Sequence, residues 1–315
     1  MPNLSINFCN ITFPNPLVLA SGILGVTGKS FEYTIEKGAG GVTTKSIWKN
    51  PHPGHKNPVM FGTENYFMNA VGLSDAGIAK ATEELGEYLP QRKAPLIANI
   101  VGGKKEEFRD IAEAINKMKQ KPDLIEVNIS CPNVEDELGK PFACDIASAT
   151  EVTKFVRDAT DLPFSVKLSP NVNNIGQIAR AVIDAGADAI TAINTVGPGM
   201  RWNIDLQAPI LKNTVGGISG PAIFPIAVKA VYDIYAEIKD TGCPIIATGG
   251  VTSGRDALEI MMAGGTLVGV GTAIYYEGDE FWEKAKKEMC DWLEKESIEN
   301  ISDIIGVFHK KQNAS

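Results

Sequence analysis

Glu126-Val127-Asn128-Ile129-Ser130-Cys131-Pro132-Asn133 is the stretch on which the fold turns. With Leu124 and Ile125 before it, the stretch opens as a buried strand and breaks at Pro132, which cannot donate to a sheet ladder. Asn128 supplies an amide before the break; a hydroxyl (Ser130), a thiol (Cys131) and a second amide (Asn133) gather around it. Polar groups at the end of an apolar strand oppose folding unless something binds them. The stretch therefore predicts a strand-end site for a flat, polar ring, with Cys131 as proton acceptor.

The same unit recurs outward from here: a short apolar run, a polar or glycine-rich end, then a helical pattern. The runs are Leu17–Ala20, Gly41–Thr44, Pro95–Ala98, Leu124–Val127, Phe164–Val166, Ala189–Ile193, Pro244–Ala247 and Leu267–Val270. Helical periodicity falls at Ser30–Lys37, Ala76–Tyr88, Lys105–Met118, Ser148–Asp158, Ile175–Ala185, Pro225–Ile238 and Gly254–Met262. This alternation predicts parallel strands with crossover helices. Eight strand units fit an α/β fold, a single (β/α)8 TIM barrel spanning residues 1–315. An open doubly wound sheet is the alternative, but no G-x-G-x-x-G follows any run. Residues 1–16 alternate polar and apolar positions around Asn10 and predict a short N-terminal β-hairpin.

Hydrophobic residues make up 44% and charged residues 22%, the balance of an ordinary soluble globular protein. A formal net charge of −8 disfavours a nucleic-acid partner, and no apolar run reaches the roughly 18–20 residues of a membrane span. Met1-Pro2-Asn3-Leu4-Ser5 lacks the basic and apolar regions of a signal peptide. The five cysteines are scattered, without a C-x-x-C pair, which argues against disulfides, zinc or an iron–sulfur cluster on this chain. A cytoplasmic, reduced protein with no metal site is expected.

In a barrel the carboxyl ends of the strands form the active site. Here those ends read Ser21-Gly22, Lys45-Ser46, Asn99, Asn128 to Asn133, Lys167, Asn194-Thr195, Gly249-Gly250 and Gly271-Thr272. The last two pairs suit a phosphate held by backbone N–H groups, with Ser219-Gly220 as a further close approach, although Gly-Gly also makes ordinary tight turns. Lys167 and Lys45 could neutralise an anionic ring, form a Schiff base, or snorkel at a strand end. Asn69, Asn128, Asn133 and Asn194 suit a planar ligand with alternating N–H and C=O groups plus a carboxylate, although single asparagines are commonly turn formers. A free thiol titrates near about 8.5 and can act as a general base if its site depresses that value or the pH is mildly alkaline. His52, His55 and His309 lie at no strand end, so a histidine triad is not expected, and Asn50–Pro58 reads as an irregular loop over the barrel mouth.

These motifs converge. N-I-S-C-P-N at 128–133, L-A-S-G at 19–22, T-K-S at 44–46, N-A-V-G-L at 69–73 and V-K-L-S-P at 166–170 resemble the class 1 dihydroorotate dehydrogenases. So do I-N-T at 193–195, G-G-I-S-G-P-A at 216–222, G-G-V-T-S-G-R-D-A at 249–257 and G-T-A at 271–273. Cysteine rather than serine at 131 marks class 1. The resemblance implies one flavin mononucleotide (FMN) per chain, contacted by Ser21, Lys45, Ser46, Asn99, Asn128, Lys167, Ile193, Gly220, Gly249, Gly250, Gly271 and Thr272. It implies that Lys45, Asn69, Ala70, Val71, Gly72, Leu73, Asn128, Asn133, Asn194 and Thr195 hold dihydroorotate or orotate. It makes Cys131 the base that takes a proton from the ring carbon beside the carbonyl, while the carbon bearing the carboxylate passes a hydride to the flavin. Lys167 then has an electrostatic role beside the flavin, and residues 131–142 form a lid.

Class 1 divides by electron acceptor. Thr195 to Asp205 and N-A-V-G-L are more similar to the B-type branch, whose catalytic subunit hands electrons to NAD through a partner carrying FAD and an iron–sulfur (2Fe-2S) cluster. The resemblance thus implies a homodimer core within a heterotetramer; the alternative branch is a fumarate-reducing homodimer. Ser74-Asp75-Ala76 departs from the Gln-Asn-Pro common in relatives, and Glu135-Asp136-Glu137 is an acidic insertion in the lid. Competing expectations are a dihydropyrimidine dehydrogenase-like subunit, a lyase or aldolase barrel using Lys167, and a non-catalytic metabolite-binding barrel.

Overall fold

The computed structural model describes residues 1–130 and 142–312, so Cys131, Asn133 and almost all of the lid expected over 131–142 lie outside the described residues. Eight parallel strands close into a barrel in chain order: Leu17–Leu19, Gly41–Thr43, Leu96–Ile100, Leu124–Asn128, Phe164–Leu168, Ala189–Ala192, Ile245–Thr248 and Leu267–Val270. Closure comes from the eighth strand pairing with the first, Val268 with Leu17 and Gly269 with Val18. This is the TIM barrel expected from the alternation of strand and helix patterns. Every residue of these strands is buried, as strands covered on both faces require.

Helices wrap the barrel with one apolar stripe inward. In Lys105–Asn116 that stripe is Phe108, Ile111, Ala112 and Ile115, and Glu106 and Glu107 sit favourably in the first turn. Asp145, Asn174 and Ser253 cap the helices Ile146–Arg157, Ile175–Asp184 and Gly254–Met262 by accepting from the backbone N–H three residues on.

Three boundaries differ from the sequence reading. Asn99, Asn128 and Lys167 lie inside their strands rather than beyond them. Each side chain has polar partners: Asn99 and Lys167 meet Glu126 on the strand between them, and Asn128 meets Ser130 and Asn194.

A four-stranded antiparallel sheet is absent from the sequence reading. It orders Val196–Met200, Val215–Ser219, Phe67–Asn69 and Met60–Gly62, and it carries Asn69, which pairs with Gly217 and Met60. Its strands are short and two are glycine-rich, so local propensity is weak and the pairing is long-range. The helix Phe281–Lys295, which buries Phe281, Trp282, Ala285, Met289 and Leu293, is likewise absent from it. Its Glu288 carboxylate accepts from Gly254 N at 2.8 Å.

At the opposite end of the barrel from the strand tips, Ile6–Phe8 pairs antiparallel with Ile11–Phe13. Phe8 and Phe13, fully buried, meet edge-to-face with centroids 6.3 Å apart. Cys9, in the turn, approaches the carbonyl of Asp188, the residue before the sixth strand, at 3.7 Å. Burial, then the charges of Asp188 and Cys243, pushes the Cys9 thiol up from 9.0 to about 12. A thiol that stays protonated only in the folded state makes stability present below pH 9.0 and lost as pH rises toward about 12. Urea unfolding midpoints should therefore fall across that window in the native chain, and fall less steeply in Cys9→Ala.

Candidate active site

Because the barrel strands are parallel, their carboxyl ends share one rim, and three groups of side chains are built there.

The first joins strands four and six. Ser130 Oγ donates to Asn128 Oδ1 at 3.0 Å, and Asn194 Nδ2 donates to Ser130 Oγ at 2.7 Å and toward Asn128 Oδ1 at 3.4 Å. Thr195 N donates to Asn194 Oδ1 at 2.8 Å, which sets the orientation of that amide. Two asparagines 66 positions apart are thus locked into one cluster through a serine that the sequence reading treated only as a neighbouring hydroxyl.

The second lies in the barrel interior. Asn99 Nδ2 donates to Glu126 Oε1 at 2.5 Å, and Lys167 Nζ donates to the same oxygen at 3.4 Å. Relative exposures of 0% for Asn99, 2% for Glu126 and 7% for Lys167 place all three out of solvent. Asn99 Oδ1 is buried with no hydrogen-bond partner among the described residues. Sequence reasoning missed Glu126, although its signal was legible: a carboxylate in the middle of an apolar strand is rarely buried unpaired.

The third surrounds Lys45, at the end of strand two. Its ammonium donates to Ser74 Oγ at 2.9 Å and meets no carboxylate among the described residues. Ser74 is held there by Asp75, whose Oδ2 accepts from Trp48 N (3.2 Å) and Gly77 N (2.6 Å) and whose backbone pairs with His52. The departure at 74–76 therefore lies within the site. Next to it, His55 Nδ1 lies 3.0 Å from the Ala70 carbonyl, and His55 N donates to the Val71 carbonyl, tying down 70–73. His52 stacks on Trp48 with centroids 4.9 Å apart. Neither histidine belongs to a metal-binding group among the described residues.

Ser21, Ser46, Ile193, Gly249-Gly250 and Gly271-Thr272 follow strands one, two, six, seven and eight on the same rim. Gly250 has φ +74°, and a Cβ built on it would stand 2.6 Å from Phe224 N and 2.8 Å from the Gly220 carbonyl. Gly220 and Gly250 therefore converge with the start of the helix Phe224–Ile238. Beside Gly220 lies the Tyr276 hydroxyl, buried without a partner among the described residues, its phenol pushed up by burial and then by Tyr275. Gly250→Ala should lower stability by about 1–3 kcal/mol through backbone strain and lose any ligand held at this corner; urea unfolding and ligand titration of the variant check both.

Residues 3–293 match the family model described as dihydroorotate dehydrogenase. The chain belongs to the dihydroorotate dehydrogenase family. Relatives in this family align over nearly their whole length. The protein named dihydroorotate dehydrogenase B (NAD(+)), catalytic subunit, of Methanocaldococcus jannaschii is 41% identical over 98% of both chains. Proteins of the same name from Methanothermobacter thermautotrophicus (39% identical, 97% of this chain and 98% of the relative) and Pyrococcus horikoshii (40%, 96% and 97%) agree. Among the described residues no helix is long and apolar enough to cross a membrane.

Proposed function

We propose that this chain oxidises (S)-dihydroorotate to orotate in pyrimidine (UMP) biosynthesis, using FMN and passing electrons to NAD through a partner subunit. The observation that carries this reading is Lys45, a cation that among the described residues has only a hydroxyl for company, on the same rim as the Asn128–Ser130–Asn194 cluster. A cation without a carboxylate calls for an anionic ligand, and paired amides call for a ring with N–H and C=O edges. Dihydroorotate has both features; dihydrouracil lacks the carboxylate.

The residues present fit FMN. Asn99 offers a buried acceptor without a partner among the described residues, Lys167 a buried cation, and Gly220 and Gly250 a close backbone corner. These groups, with Ser21, Lys45, Ser46, Asn128, Ile193, Gly249, Gly271 and Thr272, would hold it. When bound, FMN supplies the hydride acceptor.

The chain's own residues do the rest. Lys45 holds the substrate carboxylate, and Asn69 to Leu73, Asn128, Asn133, Asn194 and Thr195 orient the ring. Cys131 takes the proton from the ring carbon beside the carbonyl, and the 131–142 lid excludes water. Lys167, already paired with Glu126, serves as a fixed positive charge rather than as a Schiff-base nucleophile.

The name "catalytic subunit" carried by the relatives supports a partner, which we read as an FAD and 2Fe-2S protein docked on a homodimer of this chain in the cytoplasm.

Anaerobic mixing of the purified protein with dihydroorotate, followed through the flavin absorbance, tests the reading. Dihydroorotate should bleach the flavin and dihydrouracil should not. Bleaching by dihydrouracil alone would reassign the substrate, and a protein that takes up no FMN would overturn the cofactor. Reoxidation by NAD only when the partner is added would support the B-type assignment; direct reoxidation by fumarate would replace it.

A further inference from the structure

Glu126 has no part in the chemistry above, yet it occupies the centre of the buried polar network. Its pairing with Lys167 is, among the described residues, the one ion pair whose two partners are both buried. Such a pair adds little to stability, because the cost of desolvating both charges offsets their attraction. Its register shows what it faces. Glu126 lies level with Asn99 on strand three and with Ser165 on strand five, whereas Lys167 lies level with Asn128, one inward-facing step nearer the mouth. Glu126 therefore leaves the barrel wall one step below Lys167, on the side away from the rim. By taking Asn99 Nδ2 it also leaves Asn99 Oδ1 as the free end of that amide.

We propose that Glu126 is a positioning residue that sets the reduction potential of the bound flavin by compensating the charge of Lys167. The inference rests on the cofactor assignment above. Together the pair is neutral. Glu126→Gln leaves an excess positive charge beneath the mouth, Lys167→Met leaves an excess negative one, and the double substitution restores neutrality. Because the site is buried, these charges are weakly screened. Reduction adds negative charge to the flavin, so an excess positive charge favours it and an excess negative charge opposes it. Glutamine is the informative replacement at 126: its amide oxygen can still accept from Asn99, so the charge is lost while the hydrogen bond is kept.

The test is the flavin midpoint potential of the holoprotein, measured against a reference dye in the native chain, Glu126→Gln, Lys167→Met and the double variant. The expected order is Glu126→Gln highest, then native, then the double variant, with Lys167→Met lowest, because Lys167 stands one step nearer the rim and its loss is only partly offset. Each single step should change the reduced-to-oxidised ratio at least about tenfold, equivalent to about 30 mV for a two-electron couple. An unshifted potential in Glu126→Gln would overturn the proposal. So would an unshifted potential on adding Glu126→Gln to Lys167→Met, since the Glu126 charge would then not act on the flavin. If Glu126→Gln fails to retain FMN, the comparison of the double variant with Lys167→Met decides: the double must sit above Lys167→Met. A native chain that takes up no FMN would instead refute the cofactor assignment, and this inference with it.

Discussion

Cys131→Ala should slow reduction of the bound flavin by dihydroorotate about 10²- to 10⁴-fold, the range a positioned general base supplies. Three of the other four cysteines stand away from the rim. Cys9 lies at the far end of the barrel beside Asp188, its thiol pushed up to about 12. Cys243 lies just before the seventh strand and so at that same end. Cys290 sits in the outer helix Phe281–Lys295. Among the histidines, the His55 ring faces the Ala70 carbonyl, and His309 is buried against the Ala263 carbonyl with burial lowering its affinity for a proton. Ser130 is engaged with Asn128 and Asn194. Cys131, the next residue in the chain, is the base that the N-I-S-C-P-N motif implies. The rate in the native chain should rise with pH as the thiol ionises, near about 8.5 in the absence of a shift. Cys131→Ser, with a far weaker acid, should keep a small activity that goes on rising at higher pH. Anaerobic stopped-flow absorbance across pH measures both, and a native rate in Cys131→Ala would place the base elsewhere.

Lys45→Met should weaken orotate binding about 10- to 100-fold while leaving uracil binding nearly unchanged. A hydrogen bond to a charged group contributes about 1.5–3 kcal/mol, and orotate differs from uracil by the carboxylate that Lys45 would meet. The variant should fold normally, since the Lys45 side chain anchors Ser74 through a single bond and Asp75 holds that loop independently. Titration of each ligand against the flavin spectrum gives the two affinities. Equal losses for both would mean that Lys45 serves the cofactor rather than the carboxylate. In turnover the loss should appear chiefly in KM, because ground state and transition state share the carboxylate.

Much of this site is legible in the order of the residues alone. Asn128, Lys167, Asn194 and the glycine pairs at 249–250 and 271–272 each end or interrupt an apolar run, and in a parallel barrel all such ends must share a rim. Other parts are hidden because they depend on partners distant in the chain. The place of Glu126 in an apolar strand signals that it is paired, but its partners are known only once strands three and five bring Asn99 and Lys167 to the same oxygen. Ser74 looks like a loop residue until Lys45 reaches it. The sheet over Asn69 joins positions near 68 with positions near 218, and three-residue strands with glycine carry no local signal of such pairing.

What the sequence determined by itself was the barrel, its strand order and the rim on which the chemistry stands. Period, turn residues and crossover handedness are local properties that a parallel eight-fold repeat multiplies into one closed fold. What only the tertiary structure decided was the electrostatics of the mouth: which lysine is compensated and which is not. Lys167 is balanced by a buried carboxylate 3.4 Å away, and among the described residues Lys45 meets only a hydroxyl. Interactions between charges depend on separation and burial in space, and neither quantity is written in the order of the residues.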